Sequence, residues 1–268
     1  MGLSIGIVGL PNSGKSTLFN ALLKRQVAQV ASYPFTTIEP NTGVVEVPDE
    51  DLERLAKVVR PGKVTPAAVL FIDIAGLVKN AHQGEGLGNQ FLAKIREVDA
   101  LVHIIRAFKD EGVAHYYGSL DPQRDQKIVE IELELAEIKK PTLLVLNQGT
   151  VSPSKGFLAV NARTGEGVDK LIKAAYHLLG LITFYTVKGG QEVRAWAIKK
   201  GATALEAAGK VHTDMAQGFV KAEVAGLEDL VAFGGWQEAK RKGKVRLEGK
   251  DYPLTDKEVV EFKFGRTI

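Results

Sequence analysis

Gly9-Leu10-Pro11-Asn12-Ser13-Gly14-Lys15-Ser16 is the stretch on which the reading of this chain turns. The octapeptide matches GxxxxGK[ST] at every position, the pattern of a loop that cradles phosphates. Glycines let such a loop curl until its backbone N–H groups point at a β-phosphate. Lys15 brings a mobile positive charge to the β- and γ-phosphates, and Ser16 places a hydroxyl on Mg²⁺. The expected phosphate contacts are Lys15 and the backbone amides of Asn12, Ser13, Gly14, Ser16 and Thr17. The context agrees with the motif. Residues 3–8 (LSIGIV) read as a buried strand, and residues 15–25 show helical spacing with Leu18, Phe19 and Leu22 on one side. That helix would add its positive N-terminal end to the phosphate site.

Further along, 43–47 and 69–74 read as strands, with a short helix at 51–58 between them. A glycine-rich loop at 76–88 leads to a helix near 89–97, and 100–106 (ALVHIIR) reads as a buried strand. A helix at 125–139, strands at 142–146 and 157–160, and a helix at 167–179 complete the alternation. Strands alternating with helices predict an α/β domain with a mostly parallel sheet covered on both faces. Past Leu181 the segments become short and strand-like, with small helices near 203–208 and 227–240. The expected division is therefore a P-loop nucleotide-binding domain over 1–180 and a smaller α+β domain over 183–268.

Asp73-Ile74-Ala75-Gly76 closes the strand VLFIDI and has the form DxxG. Asp73 is expected to hold Mg²⁺ through water, and the Gly76 N–H to sense the γ-phosphate. Between the two motifs, a threonine of Tyr33-Pro34-Phe35-Thr36-Thr37 can close over Mg²⁺. Thr37 is the choice made, although spacing alone serves Thr36 equally well. Small GTPases place a glutamine directly after DxxG to orient the attacking water. Leu77 stands there, and a leucine cannot orient water. His82 in the glycine-rich loop and His115 in the loop after strand 100–106 are the candidates to replace it.

Composition narrows the class. Hydrophobic residues at 45% and charged residues at 25% are ordinary for a soluble globular protein. There is no cysteine, which removes disulfides and thiolate metal sites. No apolar run is long enough to span a bilayer, and the N-terminus does not read as a signal peptide, so a cytoplasmic location without a membrane partner is expected. The net charge of +3 is too small to argue for nucleic acid by itself, and no DNA partner is expected.

The segments GIVGLPNSGKSTLFNAL, YPFTTIEPNTGVV, FIDIAGLVKNAHQGEGLGNQFL and IREVDALVHIIRAF together resemble the Obg-like ATPase family, also called YchF. The second half, EVRAWAIKKGATALEAAGKVHTDMAQGFVKAEV, looks like that family's C-terminal TGS domain. The resemblance covers nearly all of 1–138 and 175–268. It implies hydrolysis of ATP in preference to GTP, Mg²⁺ held by residues matching Ser16 and Thr37, and association with ribosomes or ribosomal RNA. It also implies that Leu77 is the family's hydrophobic residue after DxxG and that His115, rather than His82, is the catalytic histidine. In related GTPases with PNxGKS loops, the residue matching Asn12 helps hold K⁺, which would supply positive charge beside the phosphates.

The sequence departs from the family in two places. Members carry a long helical arm where Ile138-Lys139-Lys140-Pro141 here joins helix to strand directly. The base-reading motif, NKxD in GTPases and NxxE in the family, is Asn147-Gln148-Gly149-Thr150 here. Asn147 and Gln148 remain expected base-site residues, but no carboxylate is left in the motif to hold guanine, which argues against strict GTP specificity. Asn161-Ala162-Arg163-Thr164-Gly165 resembles the SAK-type loop that packs beside the base, with Ala162 as the contact. The basic run Lys240-Arg241-Lys242-Gly243-Lys244-Val245-Arg246, with Lys199, Lys200 and Lys210, reads as a ribosomal RNA contact once the resemblance is granted. The expectation is a ribosome-associated ATPase using Mg²⁺, with K⁺ as a further candidate ion. The alternatives are an Obg-type GTPase, or a non-enzymatic RNA-binding adaptor with a structural nucleotide.

Overall fold

The computed structural model describes residues 3–26, 41–74, 87–149 and 155–265. Thr36, Thr37, Gly76, Leu77, His82 and Thr150 lie outside them. In chain order the first elements are β1 (Ser4–Val8), α1 (Lys15–Leu23), β2 (Thr42–Glu46), α2 (Glu50–Val59), β3 (Lys63–Thr65), β4 (Ala68–Asp73), α3 (Leu87–Glu97) and β5 (Ala100–Ala107). Then come α4 (Pro122–Leu135), β6 (Thr142–Gln148), β7 (Leu158–Val160), α5 (Val168–Leu178), β8 (Leu181–Lys188) and β9 (Glu192–Lys199). The remainder is α6 (Ala204–Val211), α7 (Thr213–Gln217), β10 (Phe219–Gly226), α8 (Leu227–Phe233), α9 (Trp236–Arg241), β11 (Arg246–Glu248) and β12 (Glu258–Phe264).

Two compact units result: Met1–Val47 with Ala68–Leu179, and Pro48–Ala67 with Gly180–Ile268. The segment Pro48–Ala67, expected inside the first domain, therefore belongs with the second. Its short strand β3, which the sequence pattern did not reveal, pairs in parallel with β9. Two exposed residues, Lys63 and Val64, are too little pattern to betray a strand.

The first unit is a sheet in the order β2-β4-β1-β5-β6-β7. Every described pairing in it is parallel except β2 with β4. β1 is buried along its whole length, as a central strand covered on both faces must be. Phe91, Leu92 and Ile95 of α3, and Val129 and Leu133 of α4, pack with Val8, Ile74 and Leu101 on one face. β4 and β5 flank β1 on opposite sides, so the chain changes direction across the sheet at β1. The crevice outside the carboxyl end of such a switch point is where open α/β sheets bind ligands.

Helix α4 begins earlier and ends earlier than the sequence suggests. Asp121 caps it by accepting the Arg124 N–H, with Pro122 in the first turn. It ends because Glu137 takes a left-handed φ of 56° and the Ile138 N–H returns to the Leu133 carbonyl. Lys140 then donates to the carbonyls of Arg96 at 2.9 Å and Val98 at 2.6 Å, at the end of α3. The short junction before β6, where an arm was expected to be absent, is thus closed by its own hydrogen bonds.

The second unit is a sheet in the order β11-β10-β12-β8-β9-β3. β8 and β9 form an antiparallel hairpin, and β12 runs parallel to β8. Helix α6 lays Ala204, Ala207 and Ala208 against Phe184, Val224, Val260 and Phe262. Its start carries a reciprocal cap between Thr203 and Glu206. The single helix expected over 227–240 is two, because Gly234 and Gly235 adopt φ of 82° and 125° and break it.

Candidate functional site

The loop after β1 folds as its residue types require. Gly14 sits at φ 98°, and a side chain there would strike the Asn147 amide, so the position demands glycine. Asn12 takes φ 62°, a conformation that asparagine tolerates better than most residues. Lys15 is only 8% exposed, and its Nζ donates to the carbonyls of Gly9 at 3.2 Å and Leu10 at 2.8 Å. Burial lowers its pKa to about 8, against the opposing pull of Asp73. An ammonium so desolvated, hydrogen-bonded among the described residues to carbonyls alone, is a strong attractor for an anion in the same loop.

Ser16 Oγ donates to Asp73 Oδ2 at 2.8 Å, so the two expected metal residues meet although they are far apart in the chain. The other carboxylate oxygen, Asp73 Oδ1, is buried and has no hydrogen-bond partner among the described residues. A hydroxyl and an unsatisfied carboxylate oxygen at the rim of a phosphate loop are hard oxygen donors of the kind Mg²⁺ takes. Mg²⁺ draws the rest of its octahedron from waters and phosphates. The residues present fit that ion.

The pocket continues from the loop as a cavity of about 870 Å³. Beyond that loop it is lined by Gln148 at the end of β6 and Gly149 after it, by Ala162 and Arg163, and by Phe108 and Asp110 after β5. Asn147 is brought here as expected, but its side chain is already engaged. Nδ2 donates to the Ser13 carbonyl at 3.1 Å, and Oδ1 accepts the Ala162 N–H at 3.1 Å. It braces the phosphate loop against the 161–164 loop. Asn161 organises that second loop: Nδ2 donates to the Gly149 carbonyl at 2.7 Å, and Oδ1 accepts the N–H groups of Arg163 and Thr164.

His115 is not in this pocket. It lines a separate cavity of about 10 Å³ beneath the phosphate loop, with Ser13, His103 and Asp125. Its Nδ1 accepts the Tyr117 N–H at 3.2 Å, which leaves Nε2 to donate to Asp125 Oδ2 at 2.8 Å. Both ring nitrogens are committed, so the described conformation does not present the imidazole to a water in the nucleotide pocket. Asp125 is held on its other oxygen by Arg124. His103, which the sequence reading passed over as part of a buried strand, is pushed down to about 3 by burial and then by Lys15, and stays neutral.

The 108–114 loop was also missed. Its signal is Arg106, a charged residue closing an otherwise apolar strand; Arg106 is 4% exposed. The basic run of the second unit is less available than its composition suggests. Lys240 pairs with Glu223, Arg241 with Glu238, Lys244 with Asp229, and Arg246 with Glu258. Trp196 and Phe219 pack on the core.

A parallel sheet with a phosphate loop after β1 and Asp73 ending β4 defines a P-loop nucleoside triphosphatase fold of the G-domain type. The comparisons with known proteins agree. Residues 4–148 match the family model described as "50S ribosome-binding GTPase". Residues 181–265 match the C-terminal model of YchF GTPases, described as a protein of unknown function. Among curated proteins, the "Ribosome-binding ATPase YchF" of Bacillus subtilis (strain 168) is 37% identical over 367 positions, covering 99% of this chain and 100% of the relative. That of Escherichia coli O157:H7 is 36% identical over 364 positions, with the same coverage. Both alignments are longer than the 268 residues here, so the relatives carry stretches that face gaps in this chain. The solved YchF GTPase of Schizosaccharomyces pombe superposes with a TM-score of 0.80 at 27% identity, covering 98% of each chain. The chain belongs to the YchF family.

Proposed function

We propose that this protein is a ribosome-associated, Mg²⁺-dependent ATPase that converts ATP to ADP and phosphate and works as a nucleotide-controlled switch. The observation that carries the proposal is the phosphate end of the pocket, where Lys15, Ser16 and Asp73 stand ready and Asp73 Oδ1 lacks a partner among the described residues. The relatives named as ribosome-binding ATPases support the choice of reaction and partner.

In this reading Lys15 leaves its two carbonyls for the β- and γ-phosphates, and the amides from Asn12 to Thr17 hold the phosphate oxygens. Ser16 and Asp73 hold Mg²⁺, with Thr37 closing over it and the Gly76 N–H sensing the γ-phosphate. The ion, when bound, neutralises charge on the transferring group. His115 orients the attacking water after the turn at 115–117 opens and frees a ring nitrogen. Asn12 Nδ2 is bonded to the Ala114 carbonyl, so its Oδ1 is the atom assigned to K⁺. The C-terminal part of the second unit, over about residues 183–268, acts as a TGS-like domain toward ribosomal RNA. A ribosomal partner places the protein in the cytoplasm.

GTP is the second reading, and one observation favours it. Asp110 lines the nucleoside end of the pocket and could accept the hydrogens of guanine N1 and N2. Competition of ATP and GTP for the purified protein tests the proposal. Tighter ATP binding together with ATP turnover is expected, and a clear GTP preference would sink the choice of ATP.

A further inference from the structure

The guanidinium of Arg106 is buried, and among the described residues no carboxylate pairs with it. Five carbonyls surround it instead. Nη2 donates to Val113 O at 2.8 Å and Asp110 O at 3.5 Å. Nε donates to Phe108 O at 3.2 Å. Nη1 donates to Ala114 O at 3.3 Å and Asn12 O at 3.5 Å. The cation also lies 4.5 Å from the centre of the Phe108 ring. A buried charge without a counter-charge is costly, and it is retained where its donors fix a conformation that nothing else holds.

What it holds is a loop without regular structure. Four of the five acceptors belong to residues 108–114, so that loop is wound around the guanidinium. The same loop contributes Phe108, Lys109, Asp110 and Val113 to the wall of the nucleotide pocket. The fifth acceptor, Asn12 O, belongs to the phosphate loop. Arg106 stands opposite Asn147 in the β5–β6 register, so it is anchored on the same strand ends that carry the rest of the site.

We infer that Arg106 is a positioning residue for the nucleoside end of the pocket: it sets the 108–114 loop, and Phe108 above all, as the wall against which the base of the nucleotide packs. The inference rests on the nucleotide-binding reading above and adds which part of the ligand this residue serves. Arg106 touches no phosphate. It acts through Phe108, whose ring has one side on the cation and also lines the pocket.

The test separates base from phosphate by using Mg²⁺-tripolyphosphate beside Mg²⁺-ATP as probes. Arg106→Met removes the donors and keeps the apolar stem. Arg106→Lys keeps the charge but not the planar fork, and is not a conservative exchange at such a site. Phe108→Leu leaves the guanidinium in place and removes only the flat wall. Aromatic stacking on a base is a substantial contact, so the Met and Leu variants should lose about tenfold in ATP affinity. Tripolyphosphate affinity should change by less than about twofold, since the one bond to the phosphate loop, to Asn12 O, is long at 3.5 Å and Lys15 and the amides from Ser13 to Thr17 are untouched. Arg106→Lys should fall between the parent and Arg106→Met.

Parallel losses for both ligands would make Arg106 a structural residue only and overturn the inference. Unchanged ATP affinity in folded variants would do the same. If Arg106→Met does not fold, Lys and Leu carry the comparison with the same criterion. A parent that binds tripolyphosphate as tightly as ATP has no base contribution to lose, and also overturns it. A parent that binds ATP but never hydrolyses it, with or without ribosomes, defeats the ATPase reading alone and leaves this binding test standing.

Discussion

At its phosphate end the pocket is a single octapeptide between one strand and one helix. At its nucleoside end it is assembled from three loops that follow β5, β6 and β7. The first end is held by backbone geometry that Gly14 and Asn12 dictate locally. The second is held by polar side chains reaching across the fold: Arg106 gathers the 108–114 loop, Asn147 ties Ser13 to Ala162, and Asn161 ties 149 to 161–164. The difference teaches why phosphate binding is common to so many proteins with this loop while the base is chosen protein by protein. Three loops can be rebuilt so long as their few bonds to Asn12 and Ser13 are kept.

Lys15 is the residue whose loss should separate the ends most sharply. Replacing it by methionine removes a buried cation from its anion and should cost about 3 kcal/mol of binding, roughly two orders of magnitude in affinity. The loss should be the same for tripolyphosphate and for ATP, measured by calorimetry. The empty protein should become more stable by about 1 kcal/mol, because a desolvated ammonium hydrogen-bonded to the carbonyls of Gly9 and Leu10 gives way to an apolar side chain of similar length. A fall in the melting temperature of the ligand-free variant would contradict the view that Lys15 is held at a cost until an anion arrives.

Asn147 bridges the two ends, and its removal should affect both. Asn147→Ala leaves the Ser13 carbonyl and the Ala162 N–H without partners in a buried place. An expected loss of about tenfold in affinity follows. Because the amide is spent on protein groups, ATP and GTP should weaken together. A change in their ratio would show that the side chain reads the base directly, and would return it to the role the motif first suggested.

These residues also show which parts of the molecule were legible in the sequence. Gly9 to Ser16 and Asp73 could be read because each motif is local and its spacing follows from the shape of a phosphate. The alternation of the first unit could be read because buried parallel strands such as VLFIDI and ALVHIIR are continuous apolar runs. Pro48–Ala67 could not be assigned to the second unit, since membership depends on the pairing of β3 with a strand far along the chain. Arg106 and Asn161 could not be assigned either, because a side chain bonded to distant carbonyls leaves no period. Arg106 at the end of an apolar strand was the one available hint. His115 was a candidate from its place after the strand and was chosen over His82 through family resemblance, but its bond to Asp125 is a tertiary fact that resemblance does not carry.

Asn161 offers the smallest effect and the finest test of the contrast. Its three hydrogen bonds all lie within the nucleoside end, and none reaches the phosphate loop. Asn161→Ala frees the 161–164 loop at a cost of about 1 kcal/mol, because the Arg163 and Thr164 amides lie partly in reach of water and can be hydrated. ATP affinity should fall about fivefold while Mg²⁺-tripolyphosphate affinity stays at the parent's value. Combining it with Arg106→Lys should give losses that add, since the two residues hold different loops with no shared partner. If tripolyphosphate binding falls with ATP, the loops and the octapeptide are one cooperative body, and the division of the pocket into two ends fails. If the double variant loses much less than the sum, the loops at 108–114 and 161–164 support each other, and the nucleoside end is one element rather than several.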